Sequence, residues 1–233
     1  MRTPLFGWLL SAALLVLAPV AKAADLQPET VAAWTTYVTG ATARAHACRQ
    51  PCRVGEPAGT LIPVSGGTIH HWRGSTLVRG TTVDKVVAAL MHPGTPPRQE
   101  DVLESRVLSR RANGLRVYLK LSRSAIVTVV YDTEHDVTFE RRSPGLAVSR
   151  SVATRIVETG GGDRGFLWRL NSYWTYTQVG RDVRIDLQSL SLSRAVPRVA
   201  RAVAGPLINR VARESLVRTL ETLRVHLEGP GRL

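Results

Sequence analysis

The 233-residue sequence has few lysines, cysteines and methionines, and the lysine shortage shapes its charge. The only lysines are Lys22, Lys85 and Lys120, so nearly all of the formal net charge of +13 comes from arginine. The arginines are scattered along the chain instead of forming a block, which argues against a nucleic-acid partner. Attraction to an anionic membrane surface remains compatible with this charge.

The sequence also lacks the motifs of common catalytic and cofactor sites. It contains no G-x-S-x-G elbow, S-x-x-K pair, H-E-x-x-H helix, Walker loop or dinucleotide fingerprint. The glycine-rich segment 160–163 has no following lysine or helix start that would cradle a phosphate, so it is interpreted as a turn. We therefore expect no cofactor and no metal, and no residue is identified as catalytic.

The N-terminus has the pattern of a secretory signal peptide. Arg2 precedes an apolar run over residues 5–20, and the small residues of Ala21-Lys22-Ala23 follow. The run is short of the ~20 residues that a membrane-spanning helix needs, so cleavage after Ala23 is favoured over a retained anchor. We expect an exported protein, either periplasmic or secreted.

Two cysteines, Cys48 and Cys52, are spaced C-x3-C. Thiols of exported proteins are oxidised, so a local disulfide is favoured. His46 could join both cysteines in a metal site, but a closed site needs a fourth ligand that nothing nearby specifies. Because the closed loop is so small, the disulfide would fix a turn more than it would stabilise the fold.

Apolar periodicity predicts helices at both ends of the mature chain. An N-terminal stripe is formed by Val31, Trp34, Val38 and Ala41. Thr81 with Asp84 resembles a capping box and predicts a short helix that follows. A long C-terminal stripe contains Leu216, Leu220, Leu223 and Leu227, and Pro206 is expected to kink or restart that helix.

The central part of the chain alternates apolar and polar residues between turn residues, which predicts an antiparallel meander. Proline and glycine predict irregular structure over 51–59, and a strand bent at Gly74 is predicted over 68–78. The predicted meander strands are 102–110, 115–121, 126–131, 136–142, 149–158, 165–179 and 183–192. A hairpin containing Asp132, Glu134, His135 and Asp136 is expected between the third and fourth of them.

This order of elements resembles the START-like, or SRPBCC, helix-grip superfamily. The resemblance is sharpest in GFLWRLNSYW at 165–174, SLSLSR at 189–194, RESL at 213–216 and Thr219-Leu220. These segments look like a branch of exported bacterial proteins with no agreed activity. The resemblance implies an α+β fold, in which a curved antiparallel β-sheet wraps around a long C-terminal α-helix and short helices lie near the N-terminus.

Three segments follow from these patterns. Residues 1–23 form the signal peptide, 24–66 an N-terminal helix with the cysteine-containing loop, and 67–228 the START-like domain. The superfamily scaffold implies an apolar cavity between the sheet and the last helix.

Alternation along the strand through Trp168 predicts which residues line that cavity. Trp168, Leu170, Trp174 and Tyr176 share one face, although tryptophans could equally fill the core. The full predicted lining is Trp72, Trp168, Leu170, Trp174, Tyr176, Arg169, Arg194, Leu216 and Leu220. A buried Arg169 or Arg194 could bind a carboxylate or phosphate head group, whereas the plain alternative is a surface salt bridge.

These observations favour binding or carriage of a hydrophobic ligand, lipid-like or polycyclic, outside the cytoplasm. An enzyme of the cyclase or hydratase kind is the alternative that the same scaffold implies, and it would need His71 or His135 with Asp132 facing the cavity. A cell-envelope interaction domain, using the arginine-rich face of the last helix, is the third hypothesis.

Overall fold

The computed structural model describes residues 26–47, 57–92, 101–124, 128–159, 166–195 and 198–229. The predicted signal peptide and disulfide, with Cys48 and Cys52, lie outside these residues. Within the described segments, none of the helices combines the length and apolar character needed to cross a membrane.

In the described part of the chain, eight strands form one antiparallel sheet against which three helices pack. The strands are β1 (Ala58–Val64), β2 (Gly67–Val78), β3 (Val102–Arg111), β4 (Gly114–Ser124), β5 (Thr128–Ser143), β6 (Leu146–Thr159), β7 (Arg169–Val179) and β8 (Asp182–Arg194). The helices are α1 (Pro28–Ala47), α2 (Val83–Met91) and α3 (Arg198–Glu228). The spatial order is β1-β2-β8-β7-β6-β5-β4-β3, so the meander returns to β2 through β8.

The two faces of the sheet are covered by different helices. On the inner face, Leu216 and Leu220 of α3 pack against Leu187 of β8. On the outer face, Trp34 of α1 packs in a cluster with Ile69 of β2 and with Leu190 and Leu192 of β8. Alternation along each strand therefore buries both sets of side chains at the β2–β8 end of the sheet.

Gly74 allows α3 to approach the sheet closely. A Cβ atom at this position would lie 2.9 Å from Leu220 Cδ1 and 3.0 Å from Leu216 Cδ2. The strand β2 continues through Gly74 without a break. The glycine therefore allows close packing of α3 on an unbroken strand, and the bend expected at this position stays a prediction.

The short helix α2 begins one residue later than its predicted capping box. Thr82 is the N-cap, and its hydroxyl accepts a hydrogen bond from the Lys85 backbone N–H at 3.4 Å. Val83 and Val86 are buried against the inner face of the sheet. The predicted amphipathic helix is thus confirmed, with its cap on the second of two adjacent threonines.

The predicted hairpin at 132–136 is wrong. Residues of the two predicted strands 126–131 and 136–142 belong to one strand, β5, which runs through the acidic cluster. The carboxylates of Asp132, Glu134 and Asp136 are on the outer face, so they need no turn to remain solvated. The first two bind side chains of β4, and Asp136 binds Arg111 of β3. The charge of these residues suggested a turn, whereas strand alternation determined their placement.

Two further expectations about regular structure are corrected. Residues 58–59 of the segment expected to be irregular belong to β1, which pairs with β2 at the edge of the sheet, where proline and glycine are tolerated. At the other end, α3 continues through Pro206 as one helix and does not restart there, while the kink expected at this proline stays a prediction. The other backbone hydrogen bonds of a helix of this length carry it past the one that a proline removes.

Candidate functional site

The inner face is covered unevenly from one side of the sheet to the other. Near α3, Ile185 is fully buried and Leu187 is only 3% exposed. On β4, β5 and β7 some of the inner-facing apolar side chains are half-buried instead, although they belong to the same face as buried neighbours such as Leu121 and Tyr176. These residues, called here the half-covered inner face, are Val117, Leu119, Val137, Phe139 and Leu170.

The position of α3 accounts for this difference. In the described residues α3 lies mainly over β2. Its leucines meet Trp72 and Trp174 beside Leu187. Trp174 belongs to β7 and lies on the side of these leucines that is nearer to the half-covered inner face. The Trp72 ring covers Gly59 of β1 instead, so this predicted lining residue lies towards the other edge of the sheet.

Most of the predicted lining residues are on the inner face, but they are in different surroundings. Leu170 packs beside the Leu121–Tyr131 cluster. Tyr176 is fully enclosed near α2, and its hydroxyl forms a 2.9 Å hydrogen bond with Ser149 Oγ. Leu170, Trp174 and Tyr176 therefore share the face that strand alternation predicted.

The structure does not bring Trp168 together with those residues. The predicted strand 165–179 begins only at Arg169, so the alternation does not extend to Trp168. Its ring packs in the outer cluster with Trp34 and Ile69. Its indole Nε1 is buried and has no hydrogen-bond partner among the described residues.

Arg169 and Arg194 lie away from the half-covered inner face. By strand alternation both side chains belong to the outer face. Arg169 donates to the backbone carbonyl of Trp168 at 3.0 Å, and the guanidinium carbon of Arg194 is 5.9 Å from the ring centre of Phe166. This arrangement corresponds to the surface alternative that the sequence analysis had left open.

His135 is a deeply buried histidine of the inner face. It is 4% exposed, and burial lowers its pKa to about 4. Its Nε2 is 3.0 Å from Thr133 Oγ1, and its Nδ1 is 3.2 Å from Ser151 Oγ. The imidazole is therefore neutral at physiological pH and joins hydroxyl groups of β5 and β6.

A second polar cluster connects α3 to the far side of the sheet. Asp101, which is 7% exposed, accepts hydrogen bonds at Oδ2 from Arg123 Nη1 (3.1 Å) and Ser215 Oγ (2.6 Å). Burial is the main cause that lowers the pKa of the Arg123 guanidinium, and the charge of Asp101 opposes that shift. The sequence analysis did not single out these residues, because they are distant in the chain and belong to no motif.

We predict that Asp101→Asn lowers the free energy of unfolding by about 2 kcal/mol. Breaking a fully buried ion pair costs about 3–5 kcal/mol, but the Arg123 side chain is still 32% exposed. Urea denaturation would measure the change. Glu104→Gln is the matched control, because the Glu104–Arg106 pair is exposed and its loss should cost about 0.5 kcal/mol or less. Equal losses for the two variants would contradict the prediction.

The residues considered for an enzyme do not meet on one face. His71 is on the outer face, where its Nδ1 is 3.0 Å from Tyr37 Oη and its Nε2 is 3.1 Å from Gln188 Oε1. Asp132 is also on the outer face and accepts from Tyr118 Oη at 2.6 Å. Since His135 faces inward, neither histidine forms a pair with Asp132 towards the half-covered inner face. Over the described ranges, no three His, Cys, Asp or Glu side chains are grouped so that they could hold a metal ion.

Several arginines on the described part of α3 are paired with acids of the same helix. Arg210 Nε is 2.8 Å from Glu214 Oε1, and Arg224 Nη1 is 2.8 Å from Glu228 Oε2. Both pairs reduce the positive charge of the helix, although only the Arg210–Glu214 pair is exposed and so contributes little to stability. The expected contact of this helix with an anionic membrane gains no support from these pairs.

Solved structures that are similar in fold to this chain include the following three. The STAR-related lipid transfer protein from Xanthomonas axonopodis is 20% identical, with a TM-score of 0.51 over 73% of this chain and 99% of that one. A protein from Thermus thermophilus is 13% identical, with a TM-score of 0.52 over 67% and 96%. Human STARD10 is 7% identical, with a TM-score of 0.50 over 88% and 81%.

At these identities the likeness establishes the fold. No protein-family model matches the sequence, and no curated protein is significantly similar to it. The chain has the α+β helix-grip fold of the START-like superfamily, with a curved antiparallel sheet, a long C-terminal helix and shorter helices. The fold expected from the order of sequence patterns is thereby confirmed.

Proposed function

We propose that the protein binds or carries a hydrophobic ligand, lipid-like or polycyclic, on the half-covered inner face beside α3. The observation that supports this most directly is the partial burial of Val117, Leu119, Val137 and Phe139. A core would cover such side chains completely, whereas a ligand site leaves apolar surface for the ligand to bury. Trp174 would then contact one side of the ligand.

The proposed location is outside the cytoplasm, in the periplasm or the surrounding medium. Its support is the signal-peptide pattern of residues 1–23. Expression of the full chain in a bacterial host, followed by fractionation and intact mass measurement, tests this part. A periplasmic or secreted product that begins at Ala24 is the expected result, and a full-length cytoplasmic product would contradict it.

A variant that fills the half-covered inner face should lose ligand. Val137→Phe adds a ring where the proposed ligand lies, and steric conflict of this kind typically costs about 1–3 kcal/mol. We expect about a tenfold loss of affinity for a pyrene probe, measured by quenching of tryptophan fluorescence. The wild-type protein should bind the same probe in the same assay.

The control for this experiment is Val157→Phe. Val157 is on the outer face of β6 and 40% exposed, so the same substitution is made where no ligand is proposed. It should bind the probe as the wild type does. If the wild type did not bind, or if Val137→Phe bound equally well, the proposed function would be rejected.

A further inference from the structure

The hydrogen bonds around His135 have a fixed direction. Thr133 Oγ1 is 2.9 Å from the Leu119 carbonyl, to which its only hydrogen must be donated because a carbonyl cannot donate. Thr133 Oγ1 is then the acceptor for His135, so the imidazole carries its hydrogen on Nε2. Nδ1 of the neutral ring is left as an acceptor.

This direction determines what Ser151 can offer to a ligand. Ser151 Oγ is 3.2 Å from His135 Nδ1 and must donate its single hydrogen to it. Its oxygen lone pairs are the groups that remain. Because Ser151 is half-buried beside Val137 on the inner face, these lone pairs are available next to the surface proposed for the ligand.

The hydroxyl groups continue from Ser151 across the inner face. Ser172 of β7 is directly opposite Ser151, and Ser189 of β8 is directly opposite Ser172. Side chains opposite each other on one face have Cβ atoms about 4.5–5.5 Å apart, so one small polar group can reach two of them. The hydroxyl group of Ser172 can rotate to donate or to accept a hydrogen bond. The hydroxyl group of Ser151 can only accept from a ligand, because it donates its hydrogen to His135.

We propose that the Ser151–Ser172 pair selects a hydrophobic ligand that carries an uncharged hydroxyl group, in preference to a carbonyl compound or a hydrocarbon. The ligand hydroxyl donates to Ser151 and accepts from Ser172. A carbonyl can accept from Ser172 but cannot satisfy Ser151, and a hydrocarbon satisfies neither. This inference rests on the proposed function and specifies the ligand class for the same site.

Three probes with the same apolar body test the selection. Pyrenemethanol, pyrenecarboxaldehyde and methylpyrene differ mainly in their polar substituent, and quenching of the protein's tryptophan fluorescence measures their affinities. The alcohol should bind about three- to tenfold more tightly than the aldehyde, which is the affinity equivalent of one hydrogen bond between uncharged groups. Methylpyrene should bind most weakly.

Variants of Ser151 assign the preference to this residue. Ser151→Ala should reduce the affinity for the alcohol to that for the aldehyde, and Ser151→Thr, which keeps the hydroxyl, should restore the difference. Ser149→Ala is the matched control, because it removes a hydroxyl from the same strand and face that is bonded to Tyr176. It should keep the preference for the alcohol. Urea denaturation would confirm that each variant is folded under the assay conditions.

The outcomes separate this inference from the proposed function. If none of the probes binds, the proposed function fails and the inference fails with it. Equal binding of all three would retain the hydrophobic site and overturn the hydroxyl selection. A preference for the alcohol that survives in Ser151→Ala would overturn the assignment to Ser151.

Discussion

Leu220→Ala is expected to lower the free energy of unfolding by about 3 kcal/mol, within the range of about 2–5 kcal/mol for leucine-to-alanine changes in cores. Leu220 is 6% exposed and packs with Leu216 and Leu187 where α3 meets the sheet. Gly74 lies directly beneath it, so the backbone cannot easily close the cavity that the truncation leaves. Urea denaturation at neutral pH would measure the loss.

Val217→Ala provides the comparison on the same helix. Val217 is 46% exposed, and its truncation should change the stability by about 0.5 kcal/mol or less. The contrast between the two variants isolates packing against the sheet from helix propensity. If both variants lost a similar amount of unfolding free energy, the packing of Leu220 against the sheet would not be what stabilises α3.

A second large effect is expected from pH. Burial lowers the pKa of His135 from 6.5 to about 4, so the unfolded chain binds a proton at a higher pH than the folded protein does. The contribution of His135 to the free energy of unfolding is complete above pH 6.5. It is lost as the pH falls towards 4, by about 3 kcal/mol in total. His70 contributes with the same sign, because burial also lowers its pKa.

Urea denaturation of the wild type and His135→Gln between pH 7 and pH 4 would measure this contribution. The variant starts from a lower stability, since it changes the hydrogen bonds to Thr133 and Ser151, but its stability should fall less steeply with pH. His226→Gln, on an exposed part of α3, should keep the wild-type slope. Parallel curves for the wild type and His135→Gln would contradict the prediction.

The order of the helices and strands was predictable because it depends on local periodicity. Trp34 and Ala41 mark the buried side of α1, and Leu216 and Leu220 mark that of α3, as their spacing indicates. The error at Asp132 arose because charge was given more weight than alternation, although the neighbouring odd-numbered residues are apolar or uncharged. Edge strand β1 was missed because proline and glycine are tolerated at an edge.

The candidate site was less predictable because it depends on contacts between strands. The hydrogen bond between His135 and Ser151 requires the register of β5 with β6, which shifts between Glu134 and His135. Neither the register nor its shift can be predicted from a single sequence. Trp168 shows the related problem at a strand end, where a difference of a few residues places a ring on the other side of the sheet.

The irregular pairing of β3 affects how copies of this protein associate at high concentration. β3 is one edge of the sheet, and its register with β4 shifts twice, between Val102 and Glu104 and between Val107 and Ser109. A straight edge with exposed Leu103 and Leu108 would offer a template for the strand of another copy. The two bulges and the charges of Glu104 and Arg106 interrupt that template, which protects the protein from edge-to-edge aggregation.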